Sequence, residues 1–188
     1  IKYFQNKEKA FYVDVGCFHP TRINNTYLLY KKGWRGINID PSKFSIDLFK
    51  FFRPDDINLC QAVSLTSGLK KFYHQKDFSA LSSLNQEFAK KQMGDVLKER
   101  MLETNTLDEI IEKTKYKKQQ IDFLNVDVEG HDMEVLKSLT FEIYSPKLIC
   151  VEEISENYLL NSTHQFLIKK GYAHLWSGSL SHIYYKLT

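Results

Sequence analysis

Apolar residues along this chain fall into short continuous runs separated by stretches in which they recur every three or four positions, the alternation of an α/β chain with a mostly parallel sheet. Phe11-Tyr12-Val13-Asp14-Val15 is apolar apart from Asp14 and ends in Gly16, which predicts a strand buried on both faces. After a loop containing Pro20, residues 25–32 carry Tyr27, Leu28 and Tyr30 at helical spacing and stop at Gly33. Gly36-Ile37-Asn38-Ile39-Asp40 predicts a second strand. Pro41-Ser42 then opens a helix whose apolar stripe is Phe44, Leu48, Phe51 and Phe52. A third strand is expected over 57–63. The turn Thr66-Ser67-Gly68 leads to an extra, edge-type strand over 69–74.

The stretch 75–105 has no single pattern. Its first part, 77–84, reads as loop; its second, through Phe88, Met93, Leu97 and Met101, has helical spacing. Thr106 followed by Glu109 is a capping-box start. The strongest strand signal covers 121–128 and ends at Gly130, ahead of a helical run with Met133, Leu136 and Leu139. Leu148-Ile149-Cys150-Val151 predicts another strand, running out into Glu152-Glu153. A helix over 163–170 closes at Gly171, and 172–176 with 183–187 form a closing antiparallel pair.

Length and charge narrow the classes. The 188 residues suit one domain, 1–188, with a sizeable core. The net charge is only +3, and the nearest thing to a basic cluster, Lys113, Lys115, Lys117 and Lys118, reads as a solvated loop. A nucleic-acid partner is therefore not expected. Cys17, Cys60 and Cys150 match neither a disulfide framework nor a metal motif and are expected as buried reduced thiols. No apolar stretch approaches the roughly 20 residues of a membrane span, and no signal peptide is read, so a cytoplasmic location is expected.

Candidate chemistry lies at three strand ends that are acidic where apolar residues would pack better; ligands of open α/β sheets bind at such ends. Asp14-Val15-Gly16 offers a hydrogen-bond acceptor beside a glycine that admits close approach. The full G-x-G-x-x-G pattern is missing, which disfavours a pyrophosphate cofactor, and no P-loop motif occurs. Asp40, at the tip of the second strand, is placed to accept both hydroxyls of a ribose; its other reading is a helix N-cap, since Pro41 follows. Asp127, between Val126 and Val128, needs a partner if buried, and a cationic ligand would serve.

Phe11 to Gly16, Asn25-Thr26-Tyr27, Lys32 to Pro41, Thr106-Leu107-Asp108 and Ile121 to His131, in that order, resemble the FkbM-type methyltransferase family, a branch of the class I S-adenosylmethionine-dependent enzymes. The resemblance spans roughly Phe11 to Glu153. The loop Cys17-Phe18-His19-Pro20 lacks the second glycine that many class I enzymes carry. The resemblance implies a Rossmann-like, mostly parallel seven-stranded sheet with helices on both faces and an antiparallel strand near the C-terminus. It also implies S-adenosyl-L-methionine as cofactor, with Asp14, Gly16 and Thr26 around its methionine part, Asp40 on the ribose, Ala62 and Val63 near adenine, Asp127 near the sulfonium and acceptor, and Cys17, Asn25 and Pro41 also at the cofactor.

Such an enzyme aligns acceptor, methyl and sulfur, and removes a proton when the nucleophile is a hydroxyl. Asp127, Glu129 and His131 are the leading candidates, with His19 as a further base. Glu129, His131 and the Glu152-Glu153 pair are alternatively ligands for a divalent metal. The family implies O-methylation of a small-molecule or sugar acceptor, on which Trp34, Tyr73, Tyr158 or Trp176 would stack. Two other classes stay open: a nicotinamide-type dehydrogenase, and a catalytically silent binding protein on the same fold.

Overall fold

The computed structural model describes residues 2–4, 7–75, 81–95, 97–153 and 158–187. In chain order its strands are β1 (Phe11–Val15), β2 (Arg35–Asp40), β3 (Ile57–Cys60), β4 (Ala62–Val63), β5 (Gly68–His74), β6 (Lys98–Asn105), β7 (Phe123–Val126), β8 (Leu148–Glu152), β9 (Tyr172–Ser177) and β10 (Ser181–Lys186). Its helices are α1 (Tyr27–Lys31), α2 (Lys43–Phe52), α3 (Gln86–Met93), α4 (Leu107–Glu112), α5 (Asp132–Lys137), α6 (Phe141–Tyr144) and α7 (Ser162–Lys169).

The continuous apolar runs become the central strands. Seven strands join in the order β3-β2-β1-β7-β8-β10-β9. Neighbours are parallel from β3 through β8, while β10 runs antiparallel to both β8 and β9. This is the Rossmann-like arrangement expected, with its antiparallel strand near the C-terminus. Strand alternation divides the side chains between two faces. Phe11, Val13, Val15, Ile37, Ile39, Leu124, Val126, Ile149 and Val151 form one apolar cluster with side chains of α4, α5, α6 and α7. Each of these buried aliphatic or aromatic groups contributes about 1.5–3 kcal/mol. Tyr12, Phe123, Leu148 and Cys150 face the other way, against Leu29 of α1 and Trp34. On that side Phe49 of α2 stacks under Arg53, whose guanidinium reaches Tyr12. Helices therefore cover both faces.

One level of this second face is polar. The register aligns Asn58, Asn38, Asp14, Asn125 and Cys150 across five strands. Asn38 donates to Asn58 Oδ1 (2.8 Å) and Asn125 to Asp14 Oδ1 (2.9 Å).

Several expected elements differ from those observed. The strand over 57–63 breaks at Gln61, whose N–H turns to the carbonyls of Asp40 and Leu59, and Ala62–Val63 joins a separate three-stranded sheet, β4-β6-β5. The segment through Met101, expected as helix, is strand β6. Helix α3 stops at Gly94, whose φ of +79° carries the chain out of the helical region, so the Met93, Leu97, Met101 spacing spans two elements. The loop expected over 77–84 lies partly outside the described residues. In α2 the expected stripe faces outward: Phe44, Phe51 and Phe52 are exposed, and Ile46 and Phe49 are buried instead. Among the cysteines, Cys17 and Cys150 are buried but Cys60 is exposed. The capping box at Thr106 and Glu109 forms as read. Among the described residues no helix is long and apolar enough to cross a membrane.

Candidate active site

The C-terminal ends of β1, β2, β4 and β7 open on one cavity, with about 670 Å³ of open space including its mouth. Gly16, Asp40, Pro41, Ala62, Val63, Asp127, Glu129 and His131 line it, so eight sequence-predicted residues meet at one place. Gly16 has φ +78°, and a Cβ there would lie 1.7 Å from the Asp127 carbonyl oxygen. The glycine is thus required by the contact between two strand ends as well as by room for a ligand. Backbone bonds fix that contact: Gly16 N–H donates to Ile39 and Asp127 N–H to Val15, at 2.9 and 3.0 Å.

Asp40 is buried, and its two oxygens accept the N–H groups of Phe18 (3.0 Å) and Ser42 (2.7 Å). Burial raises its pKa to about 6 against those two bonds. The cap of α2 is Ser42, whose hydroxyl accepts from Ser45 N–H, so Asp40 is not the capping residue. Each Asp40 oxygen keeps an acceptor position beyond its one backbone bond.

Asp14, Cys17, Asn25 and Thr26 stand behind the cavity wall rather than in its lining. Asp14 is fully buried, bonded at Oδ2 by Thr26 (2.6 Å) and Asn24 (3.1 Å) and at Oδ1 by Asn125. Asn25 donates to Asn125 Oδ1 at 2.9 Å. Arg53, also fully buried, donates to Thr26 Oγ1 (2.8 Å), Asn24 Oδ1 (2.6 Å) and the Pro20 carbonyl (2.9 Å). These residues hold the β1–α1 loop; their route to a ligand is through its shape. His19 belongs to the same loop, where its Nδ1 accepts from Thr21 and Arg22 N–H.

Carboxylates crowd the opposite rim. Ligand oxygens of Asp127, Glu129 and Glu152 all lie within 4.8 Å of one another. Burial first, and then a neighbouring carboxylate, raises each pKa: Asp127 to about 6, beside Asp14; Glu129 to about 7, beside Asp127; and Glu152 to about 8, beside Asp127 and Glu129. Glu129 holds a left-handed backbone (φ +55°), clamped where Ser83 Oγ bonds its carbonyl at 2.6 Å. This set differs from the expected metal ligands. His131 Nε2 lies 3.0 Å from buried Ser64 Oγ and its Nδ1 3.7 Å from Glu134. Glu153 takes the Asn161 amide. Burial holds the His131 pKa below the ordinary histidine value, against the pull of Glu134, while it lifts Glu129 to about 7, so Glu129 is the stronger base of the two.

The sequence reading missed one wall. Phe72 of β5, Arg100 of β6 and Ser82 to Leu84 also line the cavity. Arg100 stacks on Phe72 (5.2 Å) and donates to the Pro41 carbonyl (3.3 Å). Of the aromatic residues offered for sugar stacking, Trp34 and Tyr73 are buried and Trp34 Nε1 bonds the Lys7 carbonyl, so both are structural; the Tyr158 side chain lies outside the described residues, and Trp176 is exposed.

No curated protein and no solved structure matches the chain. The model of the methyltransferase FkbM domain matches residues 14–173, the stretch that runs from the end of β1 to the start of β9 and carries every cavity residue named above, and the chain belongs to that family of methyltransferases.

Proposed function

We propose that the protein is an S-adenosylmethionine-dependent O-methyltransferase acting on a hydroxyl of a sugar or polysaccharide precursor. The observation that carries the reading is the convergence of Gly16, Asp40, Ala62, Val63 and Asp127 on one cavity. The residues fit the cofactor: Asp40 has acceptor positions left for ribose hydroxyls, Ala62 and Val63 offer an apolar surface for adenine, and the acidic rim favours a cationic ligand. When bound, S-adenosylmethionine supplies an electrophilic methyl group on a sulfonium. The chain's own task is then to hold the acceptor hydroxyl and take its proton. Glu129, with a pKa near 7 and a fixed backbone, is the base this reading selects, with Asp127 beside it. A neighbouring cleft lined by Lys91, Gln92, Glu153, Asn161, Ser162 and Thr163 is rich in hydrogen-bonding groups and suits a polyhydroxylated acceptor.

A second reading is favoured by the close approach of Asp127, Glu129 and Glu152: they are a ligand set for a divalent cation that would bind a diol. Full turnover in excess chelator removes that reading. The main proposal is tested by calorimetric titration with S-adenosylhomocysteine, alongside Asp40→Ala. Binding by the wild type that the variant loses is the expected result; a folded wild-type protein that does not bind overturns it. A panel of sugar and non-sugar hydroxyl acceptors then checks the acceptor class.

A further inference from the structure

One wall of the cavity is built outside the central sheet. Ala62 and Val63 of β4, Phe72 of β5 and Arg100 of β6 belong to the three-stranded sheet β4-β6-β5, and all four line the cavity. Phe72 and Arg100 stand directly opposite each other in the antiparallel register, so their side chains share one face of that sheet. The Arg100 guanidinium lies over the Phe72 ring, 5.2 Å from its centre. Phe72 is buried and Arg100 is exposed. Packing therefore fixes the ring, and the guanidinium on top of it is the part left accessible to a ligand.

The protein uses little of that guanidinium. An arginine offers five N–H donors, and among the described residues the one hydrogen bond of Arg100 is the 3.3 Å contact with the Pro41 carbonyl. No other lysine or arginine is among the residues lining the cavity. Arg100 belongs to the Asp40 end: it bonds the residue that follows Asp40, and its charge opposes the burial that raises the Asp40 pKa. The cavity thus has an acidic rim at Asp127 and Glu129, open acceptor positions at Asp40, and beside Asp40 a flat surface of ring and cation.

We propose that the Phe72–Arg100 pair is the stacking surface for the adenine base of the cofactor, with Arg100 a determinant of its affinity. The proposal rests on the reading of the cavity as an S-adenosylmethionine site. With the ribose at Asp40 and the cationic sulfonium drawn to the acidic rim, the base is the part of the ligand that remains for the Arg100 end. A purine suits that surface on two counts. Its flat face stacks on a guanidinium plane, and its ring nitrogens accept from N–H donors.

The experiment titrates the full chain by calorimetry with S-adenosylhomocysteine and with adenosine, which keeps base and ribose but lacks the amino acid. Arg100→Ala is expected to weaken both ligands about tenfold, within the range that losing one stacking contact costs a nucleobase. Arg100→Lys keeps the charge but not the plane, and is expected to bind as weakly as Arg100→Ala. Position 100 is exposed, so both variants are expected to melt as the wild type does. Wild-type affinity in Arg100→Ala overturns the proposal, and so does full recovery in Arg100→Lys. A loss seen with S-adenosylhomocysteine but not with adenosine also overturns it, since Arg100 would then act on the amino acid part. A folded wild type that binds neither ligand overturns the cofactor reading itself, and this proposal with it.

Discussion

On one face of the central sheet Val13, Ile37, Leu124 and Ile149 meet apolar side chains of α4 to α7; on the other, Asp14, Asn38 and Asn125 occupy neighbouring registers, and Asp14 takes bonds from Thr26 and Asn24, which Arg53 holds in turn. The first face is held by area, so a lost methylene costs in proportion to what it leaves uncovered. The second is held by directed bonds around a buried cation and buried carboxylates, where removing one partner strands the others. The loop that shapes the cavity is fastened to the second face. A packing defect on the apolar side is therefore expected to lower stability alone, whereas a polar defect also moves the ligand site.

The sharpest test is Arg53→Met, which keeps much of the volume while removing every bond to Pro20, Asn24 and Thr26. It is expected to cost about 3–5 kcal/mol in urea unfolding, against about 0.5–1.5 kcal/mol for Ile149→Val on the apolar face. Equal costs would break the comparison. Asp14→Asn comes next, at about 1–3 kcal/mol, because a side-chain amide group meets the Thr26, Asn24 or Asn125 donors. Affinity for S-adenosylhomocysteine should fall with it and stay unchanged in Ile149→Val; calorimetry on the two variants checks this. A further test is pH. Asp127, Glu129 and Glu152 have folded pKa values raised above their ordinary ones, so the native state binds more protons than the unfolded chain between about pH 4 and pH 8. Their contribution to stability is greatest below that window and declines as pH rises through it. Thermal melts of the ligand-free protein at pH 5 and pH 8 are expected to show the decline, and Glu152→Gln to reduce it.

The apolar face was legible in the sequence because continuous runs such as Leu148-Ile149-Cys150-Val151 admit few other readings. The acidic strand ends were legible for a related reason: Asp40 and Asp127 interrupt such runs. What did not follow was which polar residues touch the cavity and which hold the loop. Asp14 and Asp127 look alike in sequence, each flanked by valines, but Asp14 lies inside β1 and takes the Thr26, Asn24 and Asn125 donors, whereas Asp127 lies one residue past the end of β7. The wall supplied by β5 and β6 was hidden for another reason. Strand β6 pairs with β4 over only two residues and leaves most of its side chains exposed, so no alternation of apolar and polar residues marks it. The stripe on α2 misled because that helix carries two apolar rows, and the one with Ile46 and Phe49 packs inward.

The polar row across β3, β2, β1 and β7 also has a meaning for descent. Asn38 and Asn58 share one side-chain hydrogen bond, as Asn125 and Asp14 share another, so a change at one position leaves its neighbour facing a mismatched group. Lineages of this protein are expected to change these residues in pairs, or not at all, while the valines and isoleucines on the reverse side of the same strands drift one by one.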